Sequence, residues 1–270
     1  MDTIELRAKK RKEARKQIFD FCYNGDNVLI IHYSCESFYD IPDGKTPRIT
    51  SIAVRYLKTG QTKSFSIHKT AELDGYKFSE IENNYNEIEK SMLDDFYLFT
   101  KEHNQFHWIH WNMRDISFGF EALAHRYKVL GGIPVEISAH QKFDLSRALV
   151  DIYSKRYIEH PRFEKLCDLN KITKKDFLGG KGEAEAFEKK EFVKLHQSTL
   201  RKVDNLDSIM NRVAENKLKT NSKLKHIYGL SPQGIFEMIK ENWIWALSFF
   251  ILGGLIMYIL NSCLNMVSIR

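Results

Sequence analysis

The chain has 270 residues, 43% of them hydrophobic, and a formal net charge of +6 at pH 7. That length and apolar content suffice to bury one sizeable domain core. Four cysteines at positions 22, 35, 167 and 263 are too scattered for a zinc knuckle or a disulfide framework, and neither internal repeats nor low-complexity tracts occur.

The first 16 residues carry seven Lys or Arg against Asp2, Glu5 and Glu13, a local charge of +4. Lys9, Lys10, Arg11 and Lys12 are the densest part, suited to nucleic-acid phosphates or to anionic lipid headgroups. A solvated amphipathic helix docked through Ile4, Leu6 and Ile18 accounts for the same residues. Because this start lacks an apolar run, a secretory signal is not expected.

Asn24, Gly25 and Asp26 signal a turn, and the apolar run Val28 to Ile31 leads through His32 to Glu36 as a central strand. Ile49 to Leu57 and Lys63 to His68 read as two more strands joined by a tight turn, an antiparallel start to the sheet. The period then becomes helical: Phe78, Ile81, Tyr85, Ile88, Met92, Phe96 and Phe99 share one face. Phe106 to Trp111 has strand character, and Ile116 to Leu130 is a helix stopped by Gly131 and Gly132. Val135 to Ala139 reads as a fifth strand and Asp144 to Tyr157 as a helix. Beyond an irregular segment and a flexible turn at Gly179 to Gly182, a long helix runs from about Glu185 to Ala214. Lys217 to Ser231 is polar and basic.

The end of the chain has a different character. Trp243 to Leu260 is 18 residues without a charge, about 27 Å as a helix against a hydrocarbon core of roughly 30 Å. Trp243, Trp245 and Tyr258 suit its two interfaces, and the Lys residues before it predict a cytosolic amino-terminal side. These features predict a single-pass, tail-anchored membrane protein with the membrane as a partner. The expected organisation is a basic helix over 1–20, a domain over 21–214, a linker over 215–241, a transmembrane helix over 242–264 and a short tail over 265–270.

Three strands, helix, strand, helix, strand, helices is the order of a ribonuclease H-like domain: an α/β mixed sheet flanked by helices. Over roughly Asp26 to Met210 the chain resembles the DEDD-type 3′–5′ exonucleases. Their first strand carries Asp-x-Glu, matched by Ser34, Cys35 and Glu36; their Asn-then-Asp motif is matched by Asn112 and Asp115. Phe143 to Leu149 is similar to their helix after the following strand, and their last carboxylate falls at Lys202. The resemblance implies four carboxylates holding two Mg²⁺ or Mn²⁺ ions.

Two of those four carboxylates are missing. Serine replaces the bridging Asp at position 34. On the last helix Lys202 stands about 60° from the middle of the apolar stripe, facing the site, whereas Asp204 faces solvent and Asp207 is marginal. Gln197 and Ser198 supply no general base. Glu36 and Asp115 are then the remnants of a vestigial site, with Lys202 supplying the charge a metal would carry.

Two function classes follow. The first is a pseudo-exonuclease without a metal cofactor that binds nucleic acid, a nucleotide or a protein partner, and is open to homo-oligomerisation. The alternative is an active, metal-dependent 3′–5′ exonuclease tethered to a membrane.

Overall fold

The protein is described by a computed structural model covering residues 3–36, 46–114, 117–241 and 243–267. Helix α1 (Ile4–Asn24) opens on Thr3, whose hydroxyl accepts the Leu6 N–H, satisfying one of the unpaired donors of a helix start. Strands β1 (Val28–Cys35), β2 (Ile49–Tyr56) and β3 (Thr62–Ser66) follow, then α2 (Ile67–Leu73) and α3 (Tyr85–Glu102). Next come β4 (His107–His110), α4 (Phe120–Val129), β5 (Lys142–Asp144) and α5 (Leu145–Tyr153). The chain continues through α6 (Arg162–Leu169), α7 (Gly180–Glu188), α8 (Phe192–Ala214), α9 (Leu224–Ile227), α10 (Pro232–Glu241) and α11 (Trp243–Val267).

The five strands form one mixed sheet in the order β3-β2-β1-β4-β5. β1 and β3 are antiparallel to β2, while β1, β4 and β5 run parallel. Every residue of β1 is buried, because both faces of the sheet are covered. Its near-continuous apolar run is the pattern of a central strand. Alternation divides its side chains. Val28 and Ile30 pack with residues of α1, α5 and α8, whereas Leu29, Ile31 and Tyr33 pack with residues of α3 and α4. A third cluster joins α2, α3, α7 and α8 through Ile67, Ile88, Phe187 and Phe192.

Helix α1 is bound into this core. Ala14, Ile18 and Phe21 are buried, and the helix packs on α5 and α8. The stretch over 215–241 contains α9 and α10, and α10 packs on both α1 and α11.

Three expectations are corrected. The fifth strand is Lys142–Asp144, paired with β4 through His110 and Asp144. The apolar residues expected to form it act otherwise: Ile137 plugs the core on the α3 and α4 side, and a 3-10 turn spans Ala139–Gln141. The stretch Gly179 to Gly182 is no flexible turn. Helix α7 starts at Gly180, and burial of Ala186 and Phe187 outweighs the weak helix propensity of its glycines. Among the described residues, moreover, no helix is long and apolar enough to cross a membrane.

That last finding overturns the C-terminal transmembrane helix. With it go the tail-anchored, single-pass membrane localisation and the membrane as a partner. Helix α11 does form where the apolar run predicts a helix.

Candidate functional site

The strand face that carries Val28 and Ile30 continues to His32 and Ser34, both buried. Helix α8 lies across this face. Its residues Ser198, Thr199 and Lys202 are buried together with the apolar stripe Leu195, Val203 and Leu206. The Ser51 and Thr199 hydroxyls, 2.7 Å apart, tie β2 to α8, and this tie fixes the rotation of the helix. Lys202 is thereby turned toward β1 rather than toward solvent.

The ammonium of Lys202 meets the carboxylate of Glu183 from α7 at 2.7 Å, with each side chain only 6% exposed. The same carboxylate oxygen accepts the Ser198 hydroxyl at 3.3 Å, and Ser198 Oγ accepts the Leu178 N–H at 3.0 Å. Phe177 presents its ring face to Lys202, 5.2 Å from Nζ. The buried cation thus has a counterion and an aromatic face, the compensation that a desolvated charge requires.

Lys202, Glu183, Phe177 and Leu178 line a cavity of about 390 Å³, together with His32, Asn112, Phe163 and Glu164. Gly179 stands close at its rim: a Cβ there would lie 2.7 Å from a Glu164 carboxylate oxygen and would push that side chain aside. Asn112 takes a left-handed backbone conformation, φ 56°, which asparagine tolerates better than most residues. Phe163 stacks on Trp111 at 4.8 Å and meets Phe177 edge-on at 5.3 Å. Two polar atoms on the β1 face, His32 Nδ1 and Ser34 Oγ, are buried without a hydrogen-bond partner among the described residues. Burial, and then the nearby Lys202 charge, push the His32 imidazole well below its usual range, so it is neutral.

The residues anticipated from sequence divide between this cavity and other places. Ser34 and Lys202 lie on the facing surfaces of β1 and α8, whereas Glu36 leaves that surface. The pairing register of β1 shifts between Ser34 and Cys35, so simple alternation ends before Glu36 is reached. Its carboxylate turns to Arg48 at 3.3 Å, which also holds Glu82 at 2.9 Å. Asp115 lies outside the described residues. Asp207, a substitute carboxylate by helical phase, is held by Arg55 of β2 at 2.7 Å. Asp204 also faces Arg55, at 3.1 Å.

This donor set, among the described residues, does not fit a two-ion centre. Among the described residues no group of three or more His, Cys, Asp or Glu is placed to hold a metal, and the α8 position nearest β1 carries a cation already paired with Glu183. The cavity offers, among the described residues, a neutral imidazole, an internal ion pair and aromatic faces.

The basic patch also divides. Lys9 is exposed and pairs with Glu13 one turn on, and Lys12 is exposed. Lys10 borders two surface cavities. Arg11 is buried: its Nε donates to the Ile152 carbonyl at 3.0 Å, and its guanidinium reaches the Tyr228 hydroxyl and the Glu241 carboxylate.

Glu183, Phe177 and Phe163 were not anticipated as site residues. One signal was available. Glu183 precedes Ala186 and Phe187 by three and four residues, so on a helix it shares their buried face.

No protein family matches this chain, and no curated protein does. Among solved structures, the family B DNA polymerase from the hyperthermophilic archaeon Pyrobaculum calidifontis aligns with a TM-score of 0.41 and 14% identity, over 79% of this chain and 29% of that one. The chain therefore matches less than a third of that polymerase's length.

Proposed function

We propose that residues 21–214 form a ribonuclease H-like binding domain without nuclease chemistry, whose cavity between β1, α7 and α8 receives a nucleotide or the end of a nucleic-acid strand. The observation that carries this reading is the buried Lys202–Glu183 pair. It stands where α8 faces β1, the place at which the resemblance would require a metal-binding carboxylate. His32 and Ser34 on the opposing strand are neutral, and Glu36 is engaged by Arg48. The aromatic walls supply stacking surface of the kind that single-stranded nucleic acids use. A cavity of about 390 Å³ lies in the range of small-ligand sites.

Two measurements on the full chain test this. Thermal melts with and without Mg²⁺ or Mn²⁺ are expected to coincide, since a metal held only by the native state would raise the midpoint by mass action. Fluorescence titration with nucleoside monophosphates and short oligonucleotides is expected to show binding in the presence of EDTA, with no hydrolysis on prolonged incubation. Metal-dependent stabilisation accompanied by release of nucleotides from a 3′ end would sink the proposal and favour a working exonuclease, with Asp115 among its ligands.

A further inference from the structure

A second cavity, of about 800 Å³, opens on a different part of the molecule, between α1, the end of α5 and α9. Arg7, Lys10, Lys155, Arg156, Lys225 and His226 contribute cationic or titratable groups to its wall, against the carboxylates of Asp151 and Glu237. Glu237 is already engaged by Lys240 at 2.9 Å. Lys155, Arg156 and Lys225 are exposed and have no carboxylate partner among the described residues. Arg7 is spent on structure, donating to the His226 and Ile227 carbonyls at 3.1 and 3.0 Å.

These cations are not needed to close α5. Its last carbonyls are taken by other donors, Ile152 O by Arg11 and Tyr153 O by the Ser222 hydroxyl. Uncompensated positive charge gathered along a groove raises the local concentration of anions. A groove of this volume is larger than one phosphate needs.

We propose that this groove binds a run of phosphate groups, with Lys155, Arg156 and Lys225 as the contacting side chains. Two sources carry that chemistry: the backbone of a single-stranded nucleic acid and inorganic polyphosphate. The assignment is independent of the cavity at Lys202, because the two sites share no lining residue.

The experiment measures binding of a labelled 15-nucleotide DNA, the matching RNA and a polyphosphate of similar charge to the full chain over a range of salt concentrations. Binding is expected to weaken as salt rises. In the triple variant Lys155→Glu, Arg156→Glu, Lys225→Glu the slope of log affinity against log salt is expected to be shallower by about 2, at about 0.7 per lost contact to a single strand. The exposed triple Lys69→Glu, Lys101→Glu, Lys128→Glu, which lines no part of the groove and changes the charge equally, serves as a control for net charge and is expected to change the slope less. Melting temperatures establish that each variant folds, and single Gln substitutions replace the triple variant if it does not.

Loss confined to the oligonucleotides identifies nucleic acid as the source. Loss confined to polyphosphate identifies the inorganic polymer. No binding of any probe, or equal slopes for the chain and the triple variant, overturns the proposal. Nucleoside monophosphate binding at the Lys202 cavity is expected to survive the triple variant, so failure of one site is read separately from failure of the other.

Discussion

Lys202 and Glu183 come from different helices, α8 and α7, and meet at 2.7 Å beneath a surface that leaves each 6% exposed. A pair in that setting stabilises the fold less than its attraction suggests, because both ions have given up water. Breaking it is another matter. Lys202→Met would leave Glu183 buried with only the Ser198 hydroxyl, and is expected to destabilise the protein by about 3–5 kcal/mol. The double variant Lys202→Met, Glu183→Leu is expected to recover much of that loss, since neither group then needs a partner. Urea denaturation of the four forms measures this, and a double variant as unstable as the single one would contradict it.

A second buried pair supports the opposite face of the sheet. Glu89 of α3 is wholly buried, accepts the Ile49 N–H at 2.7 Å and is bonded by the Arg126 guanidinium of α4, whose Nε lies 3.0 Å away. Burial raises the Glu89 carboxyl above its usual range in spite of Arg126. Arg126→Met is expected to cost about 3–5 kcal/mol. Glu89→Gln, which keeps an acceptor for Ile49, is expected to cost less. Denaturation midpoints for the two variants decide the order.

Two histidines predict the response to acid. Burial holds His110 and His196 down to about 4, against an ordinary value of 6.5. His110 Nδ1 also accepts the Met113 N–H at 3.1 Å, a bond that a proton on that nitrogen would abolish. Between pH 6.5 and about 4 the unfolded chain therefore binds protons that the native chain refuses. Stability is expected to fall as pH falls through this window, by about 1.4 kcal/mol per pH unit for each histidine, and to be insensitive to both above pH 7. Urea midpoints at pH 7.5, 6 and 5 trace the effect. His110→Gln and His196→Gln together are expected to lessen it, the remainder coming from the buried His32.

Arg11 and Lys12 are neighbours with opposite fates. Arg11→Gln is expected to loosen α10, since Glu241 and Tyr228 lose their common cation, whereas Lys12→Gln changes nothing in the fold. Hydrogen exchange over residues 224–241 reads the difference directly. Equal protection in both variants would show that α10 is held by something other than Arg11.

Much of the sheet is legible in the sequence because its cause is local. Val28 to Ile31 is a run that only a covered strand can bury, and the turn before β3 forces the antiparallel start. The stripe on α8 placed Lys202 on the inner surface, where it lies. Its partner was hidden. Glu183 follows three glycines, and only the packing of Phe187 against α2, α3 and α8 makes a helix there. Glu36 defeated the alternation rule because β1 and β2 shift register at Ser34. At the chain's end an uncharged run predicts a helix, and α11 is one. The run does not specify what surrounds that helix.

The placement of α1 carries a consequence for how the chain reaches this structure. Arg11 is bonded to Ile152, 141 residues onward, and to Glu241, 230 residues onward, and the apolar side of the same helix rests on α5 and α8. Such separations slow folding, since the entropy of closing long loops is spent before any contact repays it. During synthesis the buried side of α1 is covered in full only after α5 and then α8 have left the ribosome. Helix α1 is thus made well before the helices that protect it, and it is a segment on which a chaperone for exposed apolar surface would act.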